Sequence, residues 1–160
     1  MKKDLPPGTV RLLVREAAGV VTGQHYVDWA VQLLAERHDS PSLRRLAASD
    51  LDEVPGASDC AQILTAVLAE LELSRPDNEV LIRDYVREVA RDIIAGNIAP
   101  QAGAERIHRE VLGPFLHPKD LQAWCYLWEG LSPQGDGQTL AGSALDEAIH
   151  NTALAWAGDA

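Results

Sequence analysis

Aromatic side chains are scarce, at 5% of 160 residues, and four of them are Trp. Packing must therefore rest on Leu, Val, Ile and Ala. The two cysteines, Cys60 and Cys125, lie in separate apolar patterns without CxxC spacing, which predicts free, buried thiols in a reducing cytoplasm. No run approaches the roughly 18 consecutive apolar residues of a membrane span. The opening "MKKDLPPGTV" has two lysines with no apolar stretch behind them, so no secretory leader is expected. Positive charge is also in short supply. Lys plus Arg number 14 against 24 Asp plus Glu, a formal net charge of -10. Such a surface repels phosphate backbones and anionic lipid, so nucleic acid and membranes are disfavoured partners. A basic protein, a cation or a neutral molecule fits the charge; so does plain solubility.

What remains is ordinary globular composition, 46% hydrophobic and 24% charged, long enough for one domain over 1–160. Apolar residues recur at helical spacing throughout, and no segment alternates as a strand does. The first helix is expected over about 8–22, with Val10, Leu13, Ala17 and Val20 on one stripe. The second follows over about 24–38, through Tyr26, Trp29, Ala30 and Leu33. Ser40 and Pro41 suit the start of a short third helix. Ser58 can cap a helix to about 73, built on Ile63, Leu64, Val67, Leu68 and Leu71. A long helix over about 78–95 ends at Gly96, and Pro100 opens the next, to about 112. Leu121, Trp124, Cys125 and Trp128 share one side of a helix over about 118–130. The last helix, about 139–157, carries Leu145, Ile149 and Trp156. Residues 1–7 and the glycine-rich 130–139 are expected to be mobile. The fold class is all-α, an irregular bundle of about six or seven helices.

Two Glu-x-x-His pairs, Glu105/His108 and Glu147/His150, have the spacing that carboxylate-bridged di-metal bundles place on facing helices. Ligands must point inward, and helical geometry sets Glu105 about 160° from Ile107 and Glu147 about 160° from Ile149. His108 sits on a flank where a ring can be half buried. Glu16, Glu70 and Glu88 lie beside apolar positions, as most charges on amphipathic helices do. Solvated polar faces account for both pairs, and no metal or other cofactor is expected.

His25, His38 and His117 stand at a helix start, a helix end and a turn, where caps and surface groups are usual. There is no G-x-S-x-G, no phosphate-cradling glycine loop and no cysteine with a recognisable basic partner, so no catalytic residue is assigned. "IIAGNIAPQAGAERIHREV" has the outline of a helix-turn-helix with Arg106, His108 and Arg109 on its second helix. The preceding helix carries Asp84, Glu88 and Asp92 where a DNA reader would carry a basic footprint, so an ordinary helical hairpin is expected. Trp124 and Trp128 stand one turn apart, as core packing requires, though Trp also anchors docking surfaces. The densest acidic stretch is "SDLDEVPGASD", with Asp50, Asp52, Glu53 and Asp59 and no positive charge. Its spacing fits no EF-hand. A solvated turn explains it, and so does a surface that steers and clamps a basic partner.

Residues 84–111 resemble a pattern of small uncharacterised bacterial helical proteins. In these a helix with Tyr and Ala ends in a Gly-x-Ile-x-Pro turn, and the next begins Gly-Ala. The matching residues are Tyr85, Ala90, Gly96, Ile98, Pro100, Gly103 and Ala104. The resemblance implies a helical bacterial family and no particular activity; in type it also resembles immunity proteins that neutralise toxins. Charge and the missing catalytic set together favour a non-enzymatic cytoplasmic protein that binds another, basic, protein through Asp50, Asp52, Glu53 and Asp59. The competing expectation is an enzyme or small-ligand binder with a pocket near His108 and the Trp124/Trp128 helix. A deep enclosed pocket would favour the second, and a flat surface the first.

Overall fold

The computed structural model describes residues 4–49, 53–116 and 118–158. Among these the chain is all-α: eight α-helices with one isolated antiparallel bridge between Leu131 and Thr139. It divides into two compact units, residues 1–81 and 82–160. Their junction falls inside a helix, which is why no linker composition marks it.

In the first unit, α1 (Thr9–Ala17) stops short of Val20 because Gly19 turns left-handed at φ 72. Val20, expected on the buried stripe, is half exposed as a result. Helix α2 (Gly23–Ala35) starts with the Thr22 backbone N–H donating to Nδ1 of His25 at 3.0 Å, so this histidine serves as a helix cap. Helix α3 (Pro41–Ala48) has Pro41 in its first turn, and Ser40 Oγ accepts the Leu43 N–H. Helix α4 (Ala57–Glu70) begins one residue before Ser58, with Gly56 at its cap. Helix α2 packs on α1, α3 and α4, and α3 on α4. Leu13, Val14, Val27, Leu33, Leu43, Leu46, Leu64 and Val67 are all buried.

Helix α5 (Asn78–Ile94) spans the junction. In the second unit its far end meets α6 (Pro100–Ile107) at Gly103, where an added Cβ would lie 2.5 Å from Ile93 Cδ1. Helix α6 runs on into a π-helical stretch, His108–Leu112, in which the Gly113 N–H reaches back five residues to the His108 carbonyl. After a 3-10 turn, Lys119–Leu121, come α7 (Gln122–Trp128) and α8 (Gly142–Gly158), which pack on α6 and on each other. The segment 130–140 is laced by backbone bonds, from Leu140 N to Gly130 O and from Ser132 N to Gln138 O, both 2.8 Å. None of the described helices is long and apolar enough to cross a membrane.

Candidate docking surfaces

The acidic segment joins α3 to α4. Asp50 and Asp52 lie outside the described residues. Glu53 and Asp59 are exposed, and among the described residues neither forms an ion pair. The chain between them is anchored at Pro55. Its carbonyl lies where a Cβ on Gly23 would stand only 2.0 Å away, so glycine alone lets α2 start this close. The Cys60 thiol also points at that carbonyl, at 3.8 Å. Burial, then the neighbouring Asp59 charge, pushes the Cys60 pKa up. Asp59 occupies the first turn of α4, where a carboxylate complements the helix dipole.

A surface hollow of about 440 Å³ lies between α3 and α4, lined by Asp59 and also by Arg45, Ser49 and Gln62. Its charge is therefore mixed. Ser42 ties the two helices together: its N–H and hydroxyl donate to Glu70 at 3.0 and 2.7 Å. The Ser42 and Ser40 hydroxyls hold the Glu70 carboxyl below its ordinary value.

The His108 region is built differently. The π-helical widening buries three consecutive residues, Glu110, Val111 and Leu112. Glu110 accepts the Tyr85 hydroxyl at 2.5 Å in a buried contact, with Arg109 at 3.8 Å. His108 stacks on Trp128, ring centroids 4.6 Å apart at 19°. Trp124 is fully buried, whereas Trp128 is 42% exposed. The buried stripe runs through Leu121, Trp124 and Leu127, leaving Cys125 and Trp128 toward the edge. The crevice beside Trp128, against Leu127, Leu145 and Ile149, holds only about 70 Å³. Small-molecule sites are typically 300–1,000 Å³.

The Glu-x-x-His pairs point as the helical geometry predicts. Glu105 is exposed, 3.8 Å from Arg109, and Glu147 is exposed on α8. Among the described residues, no group of three or more His, Cys, Asp or Glu is set to hold a metal ion. His117 lies outside the described residues.

One surface escaped the sequence reading. A cleft of about 520 Å³ runs along α8, walled by Ala123 of α7 and by Ser132, Gln134, Gln138 and Leu140 of the preceding loop. Its α8 side is Ala144, Glu147, Ala148, Asn151, Thr152, Ala155 and Trp156, a face that spans about half of the helix circumference from Glu147 at one edge to Trp156 at the other. The available signal was charge: no Lys or Arg follows Lys119. Against family models, curated proteins and solved structures, the chain has no match.

Proposed function

We propose that this protein acts without catalysis of its own, by binding a basic partner protein through Asp50, Asp52, Glu53 and Asp59. The observation that carries this reading is the pair Glu53 and Asp59, exposed, without an ion pair among the described residues, on chain anchored at Pro55. Carboxylates on anchored backbone lose little conformational freedom when a partner arrives, and they draw a cationic partner in at long range. Inhibition of the immunity type is one form such binding takes, with carboxylates filling a cationic cleft. We place the encounter in the cytoplasm, because a buried thiol outside any disulfide, such as that of Cys60, persists in a reducing compartment.

The test is a tagged pull-down from native cytosol at low and high salt, with the wild-type chain and with Asp50→Lys, Asp52→Lys and Glu53→Lys combined. The wild type should retain a stoichiometric basic protein that salt releases, and the triple reversal should not. Undiminished capture by the triple reversal sinks the reading.

A further inference from the structure

We infer that a hollow between α1 and α2 binds a small zwitterionic phosphomonoester, its phosphate on Arg11, Arg15 and His25 and its ammonium on Asp28. The inference goes beyond the partner-binding reading and does not depend on it.

The hollow holds about 250 Å³, and its two walls stand in a fixed register. Gly8, at the cap of α1, faces Trp29 and Gln32 of α2, and the Trp29 indole donates to Thr9 at 3.0 Å. The turn 18–22 then sends α2 back along α1. The seven residues from Gly8 to Arg15 therefore run beside the seven from Gln32 to His25, each about 10.5 Å long. This sets Arg15 level with His25, and Arg11 level with Asp28. Arg11 and Arg15, four apart, share one face of α1, and His25, Asp28 and Gln32 share one face of α2. Leu12 and Trp29, both buried, give the hollow an apolar floor.

The charges in this hollow are the unusual part. In a chain of net charge -10 it is lined by two guanidiniums and one carboxylate. Both arginines are half-buried. Asp28 is exposed, and its Oδ1 accepts the Gln24 amide at 2.7 Å. Among the described residues Asp28 forms no ion pair, although both arginines line the same hollow. Opposite charges that share a hollow without meeting suit a ligand that carries both.

The donors select the anion. A guanidinium presents five N–H donors in a fork, so it can hold an anion beside an acceptor of the protein. The Thr22 N–H donates to His25 Nδ1 at 3.0 Å, so the neutral ring carries its hydrogen on Nε2, a third donor group at the Arg15 end. Three donor groups match the three terminal oxygens of a phosphomonoester, where a carboxylate offers two. Asp28 lies three residues from His25, about 4.5 Å along α2, an interval that a two-carbon chain spans. Beyond it, Gln32 Nε2 donates to Glu36 at 2.9 Å, which leaves Oε1, on the Gly8 side, as a second acceptor for an ammonium. The volume falls just under the range of about 300–1,000 Å³ for drug-sized ligands, which fits a smaller molecule.

The experiment titrates the isotope-labelled full chain with O-phosphoethanolamine, inorganic phosphate and ethanolamine in turn, following backbone amides, the Trp29 indole and the His25 ring. Shifts with O-phosphoethanolamine should concentrate at 8–15 and 22–32. It should bind about fivefold more tightly than inorganic phosphate, the effect of one exposed ion pair, and ethanolamine should not bind. Arg15→Gln should weaken both phosphates about tenfold, the loss of a charge-assisted hydrogen bond. Asp28→Asn should abolish the advantage of O-phosphoethanolamine without weakening inorganic phosphate. Three outcomes overturn the site: no shifts at millimolar O-phosphoethanolamine, shifts that sodium chloride reproduces, or undiminished binding by an Arg15→Gln chain whose other resonances are native. Equal affinity of the wild type for O-phosphoethanolamine and inorganic phosphate would remove Asp28 from the site and overturn the zwitterionic class.

Discussion

The two units carry the same charge excess and solve the same packing problem with opposite choices. Residues 1–81 hold eight basic against thirteen acidic residues, and residues 82–160 hold six against eleven. Each buries one Trp and one Tyr deeply. In the first unit the Trp29 indole donates to Thr9 Oγ1 at 3.0 Å, while the Tyr26 hydroxyl lies near the Glu16 carboxylate without a full hydrogen bond among the described residues. In the second the Tyr85 hydroxyl donates to Glu110, and the Trp124 indole has no such partner. The satisfied group is neutral in one case and bonded to a carboxylate in the other. A buried aromatic can thus be kept for its apolar body even where its polar tip goes unmatched, but a buried carboxylate must be met. The units also differ at their tightest glycines. Gly23 faces backbone, the Pro55 carbonyl, and Gly103 faces the tip of the Ile93 side chain.

That last contrast should give the largest effect. Gly23→Ala forces either the start of α2 or the 53–55 segment to move, since a carbonyl in the chain cannot rotate away. A loss of about 3 kcal/mol is expected, at the upper end of the usual cost of overpacking. Gly103→Ala asks only that Ile93 change rotamer, and the added methyl favours helix, so the loss should be about 1 kcal/mol. Urea midpoints of the two variants measure the difference. Equal losses would mean that the α2–Pro55 approach is as yielding as a side chain.

Removing the two Tyr hydroxyls tests the aromatic comparison directly. Tyr85→Phe leaves the buried Glu110 without its 2.5 Å donor and should cost about 2 kcal/mol. Tyr26→Phe removes a hydroxyl whose pKa is raised, first by burial and then by the Glu16 carboxylate. That hydroxyl has only the Glu16 carboxylate beside it, outside full hydrogen-bond geometry, so its loss should change stability by less than about 0.5 kcal/mol or raise it slightly. A large loss from Tyr26→Phe would show that the Glu16 contact holds α1 and α2 together. Glu16 is itself paired with Arg75 at 2.9 Å.

The elements of both units were legible because their signals are local. Ser40 with Pro41, Gly96 and Pro100 mark helix ends by short-range chemistry, and the structure places ends at each. The surfaces were legible only in part. Glu110 sits within "HREVL", and a 3.6-residue period cannot bury it together with the two residues after it. The π-helical hydrogen bond that permits this leaves no residue signature. Trp128 likewise falls at the edge of the stripe it was expected to share with Trp124, because Leu127 rather than Cys125 completes the buried side of α7. Trp156 was expected among core positions. It lines the α8 cleft because the wall opposite comes from a loop, and helical periodicity in one segment says nothing about what faces it.

The smallest effect is a pH dependence seated in the first unit. Glu70 is exposed, and its carboxyl lies below the ordinary 4.5 because the Ser42 and Ser40 hydroxyls and the Ser42 N–H donate to the ionised form. A carboxyl depressed by folding binds fewer protons in the native state than in the unfolded chain. Its contribution is therefore fully present above pH 4.5 and is lost as pH falls through the native value. Wild-type stability should decline more steeply below pH 4.5 than that of Glu70→Gln, which keeps one acceptor for Ser42 but cannot ionise. Urea midpoints from neutral pH down to acid measure the two slopes, and added salt should narrow the gap because the site is exposed. Parallel slopes would assign the α3–α4 tie to hydrogen-bond geometry alone. The acid sensitivity of the first unit would then have to come from its other carboxylates, beginning with Asp39, which Arg44 holds below its ordinary value.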